Sequence, residues 1–249
     1  MVGPHWRSWG RLLLRARRLS PGKAARDGRW LVLAPHPDDE TLGAGGLIAA
    51  LSAMGGDVTV AFLTDGSGSH IGAPGWGPTR IARARAQEAR AALHILGSHT
   101  APISLNWRDS EPFPSGSPGF EDSVRRLVAT CRRLQVRHIV ASWESDPHCD
   151  HEAAASVAVA VGRKLGIRPL YYGVWGWTIG DLDARLAAMR VTAIPIGQWR
   201  GRSRRALGQH RTQRGGRIWG AVERFVLPGP MRRLVEATHT LLLEPKHAT

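Results

Sequence analysis

The amino-acid sequence predicts an α/β fold in which helices flank a mostly parallel β-sheet. From Trp30 onward, short apolar strands alternate with longer helical stretches, which is the pattern of βαβ units with right-handed crossovers. Two clusters of histidine and carboxylate residues follow strands of this pattern, at the edge of the sheet where α/β proteins bind ligands. The chain has 249 residues, 43% of them hydrophobic, which is enough to bury the core of such a domain.

Two strands and two helices are predicted in the first part of this pattern. The apolar run Trp30–Ala34 predicts a strand, and the small residues of Leu42–Met54 predict the helix after it. Val58–Leu63 predicts the second strand, because it is rich in β-branched and large apolar residues. A glycine-rich loop then leads to an arginine- and alanine-rich helix at about Pro78–Leu96.

The pattern continues to about residue 165. Ile103–Leu105 predicts a short strand, and the Pro/Gly/Ser-rich stretch Glu111–Gly119 predicts a loop. Ser123–Leu134 predicts a helix, Arg137–Ser142 a strand, and Glu152–Leu165 a further helix. Because helices separate these strands, neighbouring strands are expected to run parallel.

The sequence divides into a basic amphipathic segment, residues 1–28, and a single α/β domain, residues 29–249, whose C-terminal part is basic. On a helical wheel, the segment places apolar residues on one face and arginines on the opposite face: Trp6, Trp9, Leu12, Leu13 and Ala16 against Arg7, Arg11, Arg15 and Arg18. We favour a helix docked on the domain, since most amphipathic helices are half buried. Peripheral contact of residues 5–18 with an anionic membrane is the alternative.

The formal net charge of +14 comes from the two ends of the chain. Residues 1–30 contain 8 basic and 1 acidic residue, residues 200–249 contain 11 and 3, and the part between them is balanced. Basic ends suit an anionic partner such as a nucleotide- or lipid-linked sugar. An arginine-rich genome is the alternative explanation, and we expect no nucleic-acid partner.

The cysteine count and the apolar runs predict a cytoplasmic protein. Cys131 and Cys149 do not form a disulfide framework in a chain of this length, which fits a reducing compartment. The longest apolar run, Ala153–Gly162, is shorter than the roughly 20 residues that span a bilayer. The three leucines at 12–14 are too few for a signal peptide.

Both polar clusters contain residue types that bind a catalytic metal ion. His36–Glu40 follows the first strand, and Asp146–His151 follows the strand at Arg137–Ser142. A set of two imidazoles and one carboxylate that leaves a coordination position open is a catalytic zinc arrangement. For the first cluster alone the alternative is helix capping, and for the second cluster alone it is a solvated loop, but capping does not require histidine in both.

The spacing within each cluster allows its side chains to share one ion. His36 and Asp39 are three residues apart, so both can point at one site in a turn or a first helical turn. His148 and His151 have the same spacing, and either can supply the third ligand.

The first cluster and its surroundings resemble the signature of the PIG-L/LmbE-like N-deacetylase family. The segment APHPDDETLGAGG, Ala34–Gly46, carries the likeness, which extends to Thr64–Gly66, Arg85–Glu88, His148–His151 and His210–Gln213. It covers about residues 30–215. The resemblance implies a three-layer Rossmann-like fold and a metal-dependent hydrolase of linear amide C–N bonds, which removes an N-acetyl group from an N-acetylglucosamine-like conjugate.

The resemblance also implies roles for six residues. The implied ligands of Zn²⁺, with Fe²⁺ as the alternative, are His36, Asp39 and His151. Asp38 would be the general base that activates metal-bound water. His148 would act as acid or oxyanion stabiliser, and Asp150 would orient it.

Three further residues are candidates for substrate binding: Asp109, Arg85 and Asp65. Asp109 follows the third predicted strand, where family members often have a substrate-binding acid, although a surface acid explains it equally well. Arg85 lies on a helix with several arginines, most of which we expect to be solvated. A sugar ring can also stack on the aromatic group Tyr171, Tyr172, Trp175 and Trp177, although core packing is the commoner role.

Two other functions compete with the deacetylase interpretation. One is an amidase of the same mechanism that acts on a thiol or other amide conjugate, because the ligand set does not define the substrate. The other is a non-catalytic protein whose basic ends bind nucleic acid or a membrane surface. Such binding does not require the two His/Asp clusters.

Overall fold

A computed structural model describes residues 6–246, with ten strands and nine helices. The helices are α1 (Trp6–Arg15), α2 (Pro21–Arg26), α3 (Asp39–Ala53), α4 (Pro78–Leu96), α5 (Pro118–Leu134), α6 (Cys149–Leu165), α7 (Leu182–Ala187), α8 (Arg200–Leu207) and α9 (Gly229–Arg232). The strands are β1 (Arg17–Arg18), β2 (Arg29–Ala34), β3 (Val58–Thr64), β4 (His70–Ile71), β5 (Ile103–Trp107), β6 (Val136–Ser142), β7 (Leu170–Tyr172), β8 (Met189–Pro195), β9 (Glu223–Arg224) and β10 (His239–Pro245).

The ends of both predicted parts fall outside this range. Residues 1–5, which begin the predicted N-terminal segment, and residues 247–249, which end the predicted domain, lie outside the described residues. Within residues 6–246, none of the helices combines the length and the apolar composition needed to cross a membrane.

Eight strands form one mixed sheet in the order β1-β8-β10-β7-β6-β2-β3-β5. The five strands from β7 to β5 are parallel, and β10 runs antiparallel to both of its neighbours. One group of helices, α3, α4 and α8, packs together, and α5 packs with α6. The predicted α/β fold with a mostly parallel sheet is therefore confirmed.

The chain changes direction across the sheet between β2 and β6. From β2 it continues to β3 and β5 on one side, and it then returns to β6 and β7 on the other side. Leu33 of β2 lies beside Ala141 of β6 in parallel register, so the loops after these two strands meet. In open α/β sheets, this crevice at the carboxyl ends of the strands is where ligands bind.

Helix α3 is buried along most of its length and begins three residues earlier than predicted. Asp39 and Glu40 form its first turn, where carboxylates suit the free N–H groups of a helix N-terminus. A Cβ added to Gly43 would lie 2.1 Å from Tyr172, and one added to Gly46 would lie 2.4 Å from Ile196. These two glycines therefore allow α3 to lie directly against its neighbours.

The N-terminal segment packs on the domain. Leu12 is buried, and the ring centroid of Trp9 lies 4.6 Å from that of Trp177. Arg11 pairs with Asp183. After α1, β1 pairs with β8 at the edge of the main sheet. The apolar face of α1 is thus turned toward the domain, as in the docked arrangement that we favoured from the sequence.

Most of the predicted aromatic group belongs to the core. Tyr171 and Tyr172 lie within β7 and are buried, and Trp177 is also buried. The hydroxyl of Tyr172 donates to the carbonyl of Leu33. Trp175 is the one half-buried residue of this group, and it lines a cavity at the carboxyl ends of the strands.

Candidate active site

Three side chains from the two loops converge at the carboxyl ends of β2 and β6. Oδ2 of Asp39 lies 3.1 Å from Nδ1 of His36 and 3.2 Å from Nε2 of His151. All three side chains are buried. Ligands of one tetrahedral ion with bonds of about 2.0–2.1 Å lie roughly 3.3 Å apart. The spacing of these donor atoms therefore suits a single metal ion.

His151 is oriented by a buried carboxylate that sequence reasoning missed. Its Nδ1 lies 2.9 Å from Oδ2 of Asp146, whose carboxylate also accepts hydrogen bonds from the backbone amides of Val174, Trp175 and Gly176. Nε2 of His151 is buried without a hydrogen-bond partner among the described residues. A metal-ligating histidine commonly has this arrangement, with one nitrogen held by a carboxylate and the other facing the ion. The sequence signal for Asp146 was its place in the second cluster.

A second group of donor atoms shares His36 and combines it with His148 and Asp150. Oδ2 of Asp150 lies 2.9 Å from Nε2 of His36 and accepts a hydrogen bond from the amide of Ser110. The residue types of this group also suit a metal ion. The first group contains the three ligands that the family resemblance implies.

Asp150, which was predicted to orient His148, contacts it more closely through its backbone amide than through its carboxylate. The Asp150 carboxylate lies 3.9 Å from Nδ1 of His148, because His36 and Ser110 hold it instead. The backbone amide of Asp150 donates to that nitrogen at 3.2 Å. His148 thus caps helix α6, and Nε2 is left to carry the proton of the neutral ring. Burial and the imidazoles of His36 and His151 lower the pKa of His148.

Asp38 lies beside the three converging side chains. Its φ of 155° is rare for a residue other than glycine, and such strain is often found at functional sites. Oδ1 accepts a hydrogen bond from Arg85 at 3.1 Å, and the backbone amide donates to Glu40. Burial raises the pKa of Asp38 to about 6, although the guanidinium of Arg85 acts in the opposite direction.

Arg85 is buried rather than solvated. Its guanidinium donates to the carbonyls of Gly66 and Pro37 as well as to Asp38. It therefore joins helix α4 to the loops after β2 and β3. Arg85 also lines the cavity described below, so it remains accessible to a small molecule.

The two other predicted substrate-binding residues lie in different places. Asp109 lines the cavity, 3.4 Å from His36, and accepts a hydrogen bond from the amide of Gly68. Burial opposes its ionisation, but His36 and Arg85 hold the pKa of Asp109 well below its usual range. Asp65 does not line the cavity, and its carboxylate accepts the amide of Ser67 in its own turn.

A cavity of about 210 Å³ opens above these residues. Its polar side includes His36, Asp38, Asp39, Arg85, Asp109 and His148. Its apolar side consists of Trp175, Phe225 and Leu227. The rings of Trp175 and Phe225 pack edge to face, with their centroids 6.1 Å apart. Sequence periodicity did not predict a role for Phe225 and Leu227, because both lie in an irregular segment.

Two buried acids, Glu40 and Glu88, hold the C-terminal segment, residues 210–227, against the site. Oε1 of Glu40 lies 3.2 Å from Nε2 of His210. The carboxylate of Glu88 accepts hydrogen bonds from the amide and the hydroxyl of Thr212 and pairs with Arg217 at 2.8 Å. Glu40 is thus a hydrogen-bond acceptor in these contacts. The family resemblance at His210–Gln213 pointed to this segment, but its contacts with Glu40 and Glu88 could not be predicted from the sequence.

The fold and this cluster define a class of protein: an α/β protein with a Rossmann-like sheet and a candidate metal centre at its topological switch point. The chain belongs to the PIG-L family. The family model, described as GlcNAc-PI de-N-acetylase, matches residues 31–161, which contain the three converging side chains and Asp38.

One curated relative illustrates the likeness in sequence. The chain is 32% identical over 184 residues to a 1D-myo-inositol 2-acetamido-2-deoxy-alpha-D-glucopyranoside deacetylase of Corynebacterium diphtheriae. The match covers 66% of this chain and 61% of the relative. The chain thus spans less than two thirds of that relative's length.

Solved structures of proteins with different chemistry share the fold. The antimicrobial reagent A40926 pseudoaglycone deacetylase Dbv21 superposes with a TM-score of 0.64 and 20% identity, over 87% of this chain and 96% of that one. GalB, the 4-carboxy-2-hydroxymuconate hydratase from Pseudomonas putida KT2440, superposes with a TM-score of 0.62 and 16% identity, over 89% and 97%. At these identities the likeness establishes the fold alone.

Proposed function

We propose that this chain is a metal-dependent hydrolase that removes the acetyl group from the nitrogen of an N-acetylglucosamine-like conjugate. The observation that carries the proposal is the convergence of His36, Asp39 and His151 next to a cavity that His36, Asp38 and Asp39 line. The curated relative is named as a deacetylase of a 2-acetamido sugar linked to inositol, which supports the same reaction class here.

The donor atoms fit a divalent metal ion. Two imidazole nitrogens and one carboxylate oxygen form a set that zinc accepts. Nε2 of His151 is buried, lies 3.2 Å from Oδ2 of Asp39 and makes no hydrogen bond with the described residues, as a ligand position requires. We propose Zn²⁺ as the ion, with Fe²⁺ as the alternative, held by His36, Asp39 and His151. When bound, the ion would supply Lewis acidity to the amide carbonyl and to the attacking water.

Asp38 is the proposed general base. Arg85 holds its Oδ1, and Oδ2 has no hydrogen-bond partner among the described residues, so Oδ2 can accept the proton of water. Asp39 cannot serve in this way, because its Oδ2 lies between two imidazoles. The two adjacent aspartates thus have separate roles.

His148 is the proposed donor to the substrate. Because Nδ1 accepts a hydrogen bond from the amide of Asp150, the proton of the neutral ring is on Nε2, and this N–H can donate a hydrogen bond to the developing oxyanion. The leaving amine would be protonated by Asp38, which passes on the proton that it took from water. Asp150 acts on the geometry of His36 through its carboxylate, and on His148 through its backbone amide.

The two sides of the cavity suit a sugar conjugate. Asp109 and Arg85 offer an acceptor and a donor to hydroxyl groups, while Trp175 offers an aromatic surface to the apolar face of a sugar ring. We propose a small anionic conjugate, nucleotide- or lipid-linked, because the chain carries a net charge of +14. A cytoplasmic location fits the two free cysteines.

Acetate release tests the proposal. Protein purified without chelators is analysed for metal and is then incubated with N-acetylglucosaminyl-inositol, UDP-N-acetylglucosamine, N-acetylglucosamine and an N-acetylated thiol conjugate. We expect bound zinc, release of acetate from an amino sugar, and loss of activity on chelation that added Zn²⁺ restores.

The panel separates the competing chemistries. Cleavage of the thiol conjugate alone would replace the deacetylase proposal with the amidase of the same mechanism. Addition of water to an enol substrate without acetate release would instead match the hydratase that shares the fold. Absence of metal together with absence of turnover would overturn the proposal.

A further inference from the structure

The second sheet forms a flap at the mouth of the cavity. We define the flap as residues 70–76 and 219–225, which include β4 and β9. His70 pairs with Arg224, and the amide of Val222 donates to the carbonyl of Ile71. Phe225, at the end of the flap, lines the cavity. The outer surface of the flap is therefore continuous with the entrance to the site.

The flap concentrates exposed apolar side chains. Among the described residues, seven large apolar side chains are exposed, and four of them belong to the flap: Ile71, Trp219, Val222 and Phe225. Val222 is 85% exposed and Trp219 is 66% exposed. Exposed apolar side chains in one place mark an interaction surface, whereas scattered ones do not.

Two arginines lie over tryptophan rings of the flap. Arg224 lies over the ring of Trp219 at 5.2 Å, and Arg80 lies over the ring of Trp76 at 4.3 Å. Arg211 and Arg214 are exposed nearby in sequence. Within residues 6–246, none of these four arginines has a carboxylate partner within 4.0 Å. Their charges are thus available to an anionic surface, with only Glu223 opposing them on the flap.

From this arrangement we propose that the flap docks on the surface of an anionic lipid bilayer. Tryptophan, aliphatic side chains and arginine together match the interfacial region, where apolar groups enter the acyl boundary and cations meet headgroups. Helix α1 does not provide this contact, because its apolar face packs on the domain. Docking would bring the cavity entrance to the bilayer surface. The proposal goes beyond the deacetylase activity and does not depend on it.

Vesicle sedimentation tests the docking. The full chain is mixed with vesicles of 30% phosphatidylglycerol in phosphatidylcholine, and with pure phosphatidylcholine vesicles, and the bound fraction is measured after centrifugation. We expect binding to the anionic vesicles only, weakening as salt is added. The double variant Trp219→Ser/Val222→Ser should reduce the partition coefficient at least tenfold. Arg211→Gln/Arg214→Gln should reduce it by roughly fivefold per arginine at low salt.

Matched variants place the contact on the flap. Met54 is also exposed, at 45%, but lies at the end of α3 away from the site, so Met54→Gln should bind as the parent does. Leu14→Ser tests the N-terminal helix, whose Leu14 is 87% exposed, and should also bind normally. Circular dichroism confirms that each variant is folded.

Three outcomes would overturn the proposal. One is a parent chain that does not sediment with anionic vesicles. Another is a loss of binding in Leu14→Ser that matches the loss in the flap variant. The third is a dimer by light scattering that Trp219→Ser/Val222→Ser converts to a monomer, since a second copy of the chain would then cover the flap. Sedimentation involves no turnover, so failure of the proposed activity leaves these readouts intact.

Discussion

Asp38 and Asp39 are adjacent in sequence but have different surroundings. Oδ2 of Asp39 lies between the imidazoles of His36 and His151, which lower the pKa of Asp39 well below its usual range in spite of burial. Asp38 instead contacts a guanidinium and has a strained backbone. The chain turn at Asp38 thus directs one carboxylate to the proposed ion and the other to the reacting water.

Replacing Asp38 should separate catalysis from metal binding. We expect Asp38→Asn to retain bound zinc while kcat/KM falls by about 10² to 10⁴, the usual contribution of a general base. Metal content and acetate release are measured on the same preparation. His151→Ala is the contrasting variant and should lose the metal. Full activity of Asp38→Asn would show that another group takes the proton.

Replacing Asp146 should weaken metal binding without touching a ligand. Asp146→Asn keeps the shape but removes the charge that holds Nδ1 of His151. Zinc affinity, measured by competition with a chelator, should fall about 10- to 100-fold. Asp122→Asn, an exposed aspartate on α5, is the matched control. Equal affinities for the two variants would contradict the orienting role of Asp146.

The residues of the site were partly predictable from sequence. The ligand candidates His36, Asp39 and His151 follow strand ends, and residue type and spacing are visible there. The contact of Asp150 with His36 could not be predicted, because the partner of a side chain depends on which loops meet in the fold. Phe225 could not be predicted, because nothing in its local pattern indicates a cavity wall.

At the scale of the elements, helix α3 depends on small residues for its close packing. It leads from Asp39, a proposed metal ligand, into the core, and Gly43 and Gly46 face Tyr172 and Ile196. Any side chain at these positions would push the helix away from β7 and from the segment after β8.

Alanine at Gly43 and at Gly45 of α3 should have different effects on the free energy of unfolding. Gly43→Ala should lower the free energy of unfolding by about 1 to 3 kcal/mol, because the new Cβ overlaps Tyr172. Gly45→Ala meets nothing closer than 3.7 Å and should be neutral or stabilising by up to about 1 kcal/mol, since alanine favours a helix. Urea unfolding measures both. A stabilising Gly43→Ala would show that α3 is not held against β7.

Elements with strong periodicity were predicted well, and irregular ones were not. Helix α4 spans Pro78–Leu96 as expected, because a proline and a glycine mark its ends. Beyond residue 165 no element was predicted, since β8 and β10 acquire their structure by pairing with each other. The short strands β1, β4 and β9 also depend on partners distant in sequence.

At the scale of the whole molecule, the cavity depends on a contact between α4 and the C-terminal segment. Glu88 accepts hydrogen bonds from the backbone amide and the hydroxyl of Thr212, and it pairs with Arg217. This buried acid holds the segment that carries Phe225 and Leu227 to the site. The segment is otherwise irregular between α8 and α9, apart from the two residues of β9.

Glu88→Gln should loosen that segment while leaving the metal in place. The ion pair with Arg217 is lost and the bonds to Thr212 weaken, at a cost of about 1 to 3 kcal/mol. We expect faster trypsin cleavage at the arginines of residues 211–224 and a raised KM with unchanged zinc content. Glu111→Gln, an exposed acid in a loop, is the control. Unchanged cleavage would mean that other contacts retain the segment.

The positions of the cavity walls in the sequence have an evolutionary consequence. His36, Asp38, Asp39 and His151 lie within the first 151 residues, whereas Trp175, Phe225 and Leu227 all come later. Mutations in the later stretch can therefore alter which molecule is selected, while the proposed chemistry of bond cleavage is inherited unchanged. A recombination event that exchanged the chain after residue 165 would be expected to give an enzyme with the old reaction and a new preference.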